Sequence, residues 1–167
     1  YPNPCVGAVV ARGDAQLGKG RSGATGKAHA EVRAIHKAGA AARGADLYVT
    51  LEPCCHQGRT PPCSEAVIQA GIQRVVVALK DPDPRVAGGG IQRLRDAELA
   101  KMALRAFQLT GGPVVVITGN GHARLDWGMP VYLARVAPDL KIVTLGQGED
   151  GVPPQGRFDI VEMTPGI

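Results

Sequence analysis

The chain has 167 residues, four cysteines and a formal net charge of +4, and its aromatic residues are one Trp, three Tyr and two Phe. This length accommodates one or two domains, each with its own hydrophobic core. No apolar run is long enough to cross a bilayer and no hydrophobic signal segment is visible, which argues against a membrane protein and against a secreted disulfide framework. We therefore expect a soluble, cytoplasmic protein.

The first part of the sequence alternates strand patterns with helix patterns. Apolar runs predict strands at 5–11, 16–20, 47–51 and 74–79, and amphipathic patterns predict helices at 29–42 and 63–70. Strands that alternate with helices indicate an α/β fold, here a three-layer α/β/α sandwich with a mostly parallel central sheet. Both conspicuous polar motifs then fall where a strand is followed by a helix, which is where α/β sheets bind ligands.

These motifs are HAE at 29–31 and EPCCHQGRTPPC at 52–63. A catalytic zinc site uses three protein ligands and leaves one position open for water. His29, Cys54 and Cys63 provide three ligands, and Glu31 is the candidate for the non-ligating carboxylate that moves protons in zinc deaminases. A disulfide between Cys54 and Cys63 is the main alternative. It is disfavoured because two of the four cysteines are adjacent and no secretion signal is visible.

The helix positions of these residues impose a geometric condition. If His29 opens a helix, Glu31 lies roughly 200° around the helix axis from it, so the two side chains do not share one face. Glu31 therefore has to reach the water from the side. Cys63 follows Pro61 and Pro62 at the start of the next helix, where the partly positive helix end favours a thiolate.

The segments PNPCVGAVV, HAEVRAI and YVTLEPCCHQGRTPPCSEAVIQAGIQRVVVALKDPDPRVAGGGI resemble the deaminase domain of the bacterial bifunctional riboflavin biosynthesis enzymes over residues 1 to about 95. The eight residues between Cys54 and Cys63 distinguish this family from cytidine and transfer-RNA deaminases, which place two residues there. The resemblance implies the cytidine-deaminase-like fold and one bound Zn²⁺. It also implies hydrolytic loss of the 2-amino group of 2,5-diamino-6-ribosylamino-4(3H)-pyrimidinone 5′-phosphate.

The same resemblance implies a set of substrate contacts. Asn3 corresponds to the residue that holds the pyrimidine and His56 to one in the ring pocket. Arg59 and Thr60 correspond to residues close to the ribose phosphate, which suits a guanidinium beside a hydroxyl.

The sequence departs from the family pattern at three places. Ser22 stands where the family has a His near the phosphate, and Cys55 stands where it has a Ser. The family also has a helix before the PNP motif, so we expect the first helix of the domain to be missing and one sheet face to be exposed.

The last part of the chain, residues 96–167, has a different character. A helical pattern at 98–109 is followed by a predicted strand at 113–118, a short helix and a further strand. From about residue 97 the sequence resembles the C-terminal part of the ChaN-like haem-uptake family, including a Gly-x-x-His element at Gly119 to His122. We do not extend haem binding to this chain. We expect a short α/β tail that adds an edge strand and a helix to the sandwich, with the reductase domain absent.

Three functions stay open from the residues themselves. The first is a zinc hydrolase acting on a small phosphorylated pyrimidine. The second is a nucleic-acid base deaminase, which the basic charge balance of residues 1–95 also fits, with 13 Lys and Arg against 7 Asp and Glu. Only Tyr1 and Tyr48 could stack on bases in this part, which argues against nucleic acid. The third is a non-catalytic module stabilised by zinc. Unpaired sheet edges favour self-association.

Overall fold

A computed structural model of the protein describes residues 4–24 and 26–164. Two units are distinguished along the chain, Tyr1–Leu94 and Arg95–Ile167. In the first unit the strands are β1 (Gly7–Arg12), β2 (Ala15–Arg21), β3 (Asp46–Val49) and β4 (Arg74–Val77), and the helices are α1 (Ala30–Ala38), a 3-10 turn (Gly39–Ala42) and α2 (Cys63–Gln69). All four strands and both helices expected in this part of the sequence are present.

The four strands form one sheet in the order β2, β1, β3, β4. The β1–β2 and β1–β3 pairs are antiparallel, and the β3–β4 pair is parallel. The predicted α/β fold is confirmed, whereas the prediction of a mostly parallel sheet was wrong. The reason is local, because a two-residue turn at Gly13 and Asp14 joins β1 to β2 and such a turn permits only an antiparallel hairpin. The connection from β3 to β4 contains α2, and a helical crossover permits the parallel pairing.

The core of the first unit lies between the sheet and helices α1 and α2. Val10 and Leu47 are fully buried on the sheet, and they share a cluster with Ala30 and Ala34 of α1 and Val67 of α2. Helix α1 packs very closely on β2, since a Cβ at Gly18 or Gly20 would overlap carbonyl oxygens of α1. This close packing places the first turn of α1 against the sheet.

The opposite face of the same sheet is more exposed. Tyr48 and Val76 point away from α1 and α2, and each is 41% exposed. Among the described residues of the first unit, α1 and α2 cover one face, so the third layer of the expected sandwich is not formed there.

The second unit has its own small sheet. Its elements, together with the helix that enters it from the first unit, are α3 (Gly89–Thr110), α4 (Asn120–Ala123), α5 (Met129–Val136), β5 (Leu145–Glu149) and β6 (Ile160–Thr164). Strands β5 and β6 are parallel and pair with each other, so the predicted edge strand for the first sheet was wrong. Within the described segments, no helix has both the length and the apolar character needed to span a membrane.

The predicted strand at 113–118 was also wrong. These residues form no strand, and Val115 and Ile117 are 84% and 95% exposed. A high strand propensity is insufficient where no neighbouring strand supplies hydrogen bonds and side-chain contacts. His122, in contrast, is held within its unit, because its Nδ1 lies 2.6 Å from Oδ1 of the buried Asp96.

Candidate metal centre and active site

The three predicted metal ligands come from three separate segments of the first unit. His29 is the N-cap residue of α1, and Cys63 is the first residue of α2. Cys54 lies in the loop that follows the carboxyl end of β3. Strand β3 pairs in parallel with β4. The two helix starts and the strand end therefore meet at one edge of the sheet.

The ligand atoms of these residues are close together. The Nδ1 atom of His29 lies 3.1 Å from Sγ of Cys63 and 3.7 Å from Sγ of Cys54. The backbone N–H of Cys63 donates to Sγ of Cys54 at 3.3 Å. The three side chains form a cluster in which all ligand atoms lie within 4.8 Å of one another. Two sulfurs and one imidazole nitrogen at this spacing are a suitable donor set for Zn²⁺.

The two thiols have opposite protonation preferences. Hydrogen bonding from Cys63 lowers the pKa of Cys54 to about 5, so Cys54 is a thiolate at neutral pH. The same hydrogen bond, together with burial, raises the pKa of Cys63. The pair thus holds one proton between two sulfurs, and this proton is released when a cation binds both. The arrangement fits a metal whose binding is coupled to proton release.

Glu31 lies beside this cluster in the first turn of α1. Its side chain is buried, with 3% of the residue exposed, and burial raises its pKa. The Cys63 side chain hydrogen-bonds to the carboxylate, and Cys54 and His29 are near enough to interact with it electrostatically. A carboxylate with a raised pKa next to a metal site is suited to accept and return a proton near neutral pH.

A cavity of about 300 Å³ opens next to the cluster. His56, Arg59 and Thr60 line it together with His29 and Glu31. The Nδ1 atom of His56 is buried and has no hydrogen-bond partner among the described residues, which indicates a position that a ligand atom can satisfy. Asn3, the fourth predicted substrate contact, lies outside the described residues.

The two family departures within the described residues have different surroundings. Ser22 lines the cavity, but its hydroxyl accepts from the Val6 N–H at 2.9 Å and donates to the Pro4 carbonyl at 2.9 Å. Its hydrogen-bonding capacity is therefore directed to the backbone. Cys55 is buried and donates to the Arg85 carbonyl at 3.6 Å, and it is not part of the ligand cluster.

No role in the site was predicted from the sequence for several further residues that line the cavity. These are Lys27, Glu52, Asp81, Asp83, Arg85 and Val86. Four of them follow β4, and the carboxyl end of a parallel strand is where ligand-binding residues are expected in such sheets. Arg85 donates three hydrogen bonds to the Asp83 carboxylate, at 3.0, 3.1 and 2.5 Å, and lowers its pKa to about 2. Lys27 and Arg59 form no ion pair among the described residues.

The chain is similar to known zinc-dependent deaminases. Residues 1–79 match the model of the cytidine and deoxycytidylate deaminase zinc-binding region. The riboflavin biosynthesis protein RibD of Escherichia coli is 52% identical over 167 residues, which cover 96% of this chain and 43% of that protein. RibD of Synechocystis is 58% identical over 96 residues, which cover 58% of this chain and 26% of that protein. The chain thus spans less than half the length of either relative.

Solved structures show the same relationship. The chain matches RibD of Acinetobacter baumannii with a TM-score of 0.55 and 45% identity, over 65% of this chain and 32% of that one. It matches a Thermotoga maritima protein described as a diaminohydroxyphosphoribosylaminopyrimidine deaminase and 5-amino-6-(5-phosphoribosylamino)uracil reductase with a TM-score of 0.53 and 27% identity, over 98% of this chain and 57% of that one. These matches establish a cytidine-deaminase-like α/β fold and a zinc-binding deaminase region in the first unit.

Proposed function

We propose that this protein, whose first unit is a deaminase domain resembling that of RibD, catalyses a zinc-dependent hydrolytic deamination. The substrate is 2,5-diamino-6-ribosylamino-4(3H)-pyrimidinone 5′-phosphate, and the products are 5-amino-6-ribosylaminouracil 5′-phosphate and ammonia. The observation that carries the proposal is the placement of the His29, Cys54 and Cys63 ligand atoms next to the buried Glu31 at the wall of one cavity.

The metal-binding residues have a simple role in this reaction. His29, Cys54 and Cys63 would hold Zn²⁺, and the low pKa of Cys54 means that one of the two sulfurs is already a thiolate. When bound, zinc would lower the pKa of a water molecule, so that a hydroxide is available at neutral pH to attack a ring carbon. The burial of Cys63 and Glu31 keeps bulk water away from this side of the site.

Glu31 moves the protons. Its carboxylate accepts a proton from the attacking water and delivers it to the ring nitrogen next to the carbon under attack. Glu31 then passes the remaining proton of the former water, from the new hydroxyl group, to the 2-amino group. The carbon–oxygen double bond forms as the carbon–nitrogen bond breaks, and the amine leaves as ammonia. One water is consumed for each ammonia released. The raised pKa of Glu31 brings its two protonation states closer in free energy near neutral pH, which favours both transfers.

The remaining cavity residues are proposed to bind the substrate. Asn3 and His56 contact the pyrimidine, and the buried Nδ1 of His56 supports this role because it lacks a protein partner among the described residues. Arg59 and Thr60 bind the ribose phosphate. Arg59 is exposed at the cavity and forms no ion pair in the described part of the chain, so its charge is available to an anion.

Release of ammonia from the ribotide by the zinc-loaded protein tests the proposed activity. We expect turnover with this ribotide and far less with cytidine at equal concentration, since cytidine has no phosphate for Lys27 and Arg59 at the cavity to bind. Deamination of a nucleic-acid base instead would favour the second hypothesis. Stoichiometric zinc without any ammonia release would favour a non-catalytic zinc module.

Arg59→Ala is expected to raise the KM for the ribotide by about 10- to 100-fold, because a charge-assisted hydrogen bond to phosphate contributes roughly 1.5–3 kcal/mol. The dephosphorylated nucleoside lacks the group that Arg59 binds, so its KM should stay unchanged. Steady-state kinetics with both substrates measure the difference. Arg105→Ala, an exposed site on α3, is the matched control. Equal effects on both substrates would show that Arg59 does not bind the phosphate.

We further propose that the second unit takes no part in the chemistry. Its sequence from about residue 97 resembles the C-terminal part of the ChaN-like haem-uptake family, and it forms a separate two-stranded sheet. The Asp96 contact gives His122 a structural role in this unit. The expectations of a cytoplasmic location and of self-association belong to the same proposal.

A further inference from the structure

A buried carboxylate that the proposed chemistry does not use lies at the cavity wall. Glu52 immediately precedes the Pro53–Cys54 pair and is 3% exposed. Its Oε2 accepts the backbone N–H groups of Asp81 and Gly88 at 3.2 and 3.0 Å, and its Oε1 accepts the N–H of Ile91 at 3.0 Å. One side chain thus satisfies three backbone donors of a single segment.

That segment, residues 81–91, forms one wall of the cavity through Asp81, Asp83, Arg85 and Val86. It has little regular structure before α3 begins at Gly89. Its other contacts are with residues 53–55, directly after Glu52. Cys55 donates to the Arg85 carbonyl, and a Cβ at Gly90 would overlap the Pro53 carbonyl oxygen and lie 3.1 Å from Glu52 Oε1. The wall therefore rests directly on residues 52–55.

We propose that Glu52 is a positioning residue that holds segment 81–91 in place as the substrate-facing wall. Glutamate suits this position because an ionised carboxylate accepts hydrogen bonds at both oxygens and donates none. It also lies at the N-terminal end of α3, where unpaired N–H groups and the helix dipole favour a negative charge. The same residue links the wall to the metal ligand Cys54, two positions along the chain.

This inference deepens the proposed function, since the wall matters for the ribotide only if the ribotide binds in this cavity. The anchoring itself can be measured without any activity. Exchange of the backbone amides of Asp81, Gly88 and Ile91 with deuterium reports whether the Glu52 hydrogen bonds hold the segment closed. An inactive wild-type protein would therefore disprove the deaminase proposal while the exchange result still decides the anchoring.

Glu52→Gln is the central variant, because it keeps the size of the side chain but turns an amide NH₂ group towards at least one N–H donor. We expect faster exchange at the three amides and full zinc content. The KM for the ribotide should rise by about tenfold or more, while kcat stays within about threefold, as loss of substrate binding without loss of chemistry requires. Glu98→Gln, an exposed carboxylate on α3, should match the wild type.

Two results would overturn the proposal: unchanged exchange at all three amides, or faster exchange with an unaltered KM. Should Glu52→Gln fail to fold, Gly90→Ala provides the same test with the carboxylate intact. The added Cβ must displace the segment from Pro53, so the same rise in KM is expected. Gly119→Ala, where a Cβ meets nothing within 4 Å, is its control. A folded Gly90→Ala protein with wild-type exchange and KM would also refute the anchoring role.

Discussion

Replacing Glu31 with Gln is expected to lower the kcat of ribotide deamination by a factor of about 10² to 10⁴, the usual contribution of a positioned general acid–base group. Gln occupies nearly the same volume but cannot accept the proton of the attacking water. The zinc content should stay at the wild-type value because Glu31 is not among the three ligands. Ammonia release under substrate saturation and metal analysis of the same preparation measure the two quantities.

The same variant has a second expected effect, on stability. Burial raises the pKa of Glu31, so its contribution to folding is fully present below the ordinary value of 4.5 and is lost as the pH rises through the raised value. Neutral Gln does not have this dependence. Zinc-free Glu31→Gln protein should therefore unfold at a higher temperature than the zinc-free wild type at neutral pH, and the difference should shrink in acid.

The control for Glu31→Gln is the same change at the exposed Glu98, which should alter neither kcat nor unfolding temperature. A Glu31→Gln enzyme with more than about a tenth of wild-type kcat would contradict a proton-transfer role. Loss of zinc from this variant would instead indicate that the carboxylate supports metal binding.

Cys63→Ser is expected to weaken zinc binding by about 100-fold or more, since even residues that only support a ligand contribute 10- to 100-fold. A serine hydroxyl does not ionise near neutral pH, so the site loses one of its two sulfur ligands. Cys63 is completely buried at the start of α2, and among the described residues Cys54 is the one other thiol of the cluster. Competition with a chromophoric chelator measures the affinity, and deamination should be lost with the metal.

Cys55→Ser provides a closely matched control for Cys63→Ser. Cys55 is also buried and is adjacent to the ligand Cys54, but it hydrogen-bonds to the Arg85 carbonyl and lies outside the ligand cluster. Its replacement should leave zinc affinity unchanged. Full zinc retention in Cys63→Ser, or zinc loss in Cys55→Ser, would refute the proposed set of ligands.

The elements of the first unit could be predicted closely because each has a strong local pattern. The apolar run before Arg12 and the amphipathic stretch after His29 gave strand and helix bounds within a few residues of the structure. The start of α3 was missed by nine residues, at Gly89 rather than at Glu98. Its first turn contains two glycines, and Glu52 accepts the N–H of Ile91 there from 39 positions away. Sequence periodicity carries no signal for such a contact.

The sequence alone was sufficient to predict the chemistry that we propose for this protein. A zinc centre needs particular donor atoms, and the HAE and Pro-Cys motifs name His29, Cys54, Cys63 and Glu31 because few other functions require those residue types in that order. The tertiary structure decided how these groups act. Burial that raises the pKa of Glu31, the proton held between two thiols, and the wall that Glu52 anchors all arise from residues far apart in the chain. Desolvation and long-range hydrogen bonds depend on packing, and packing exists only in the folded protein.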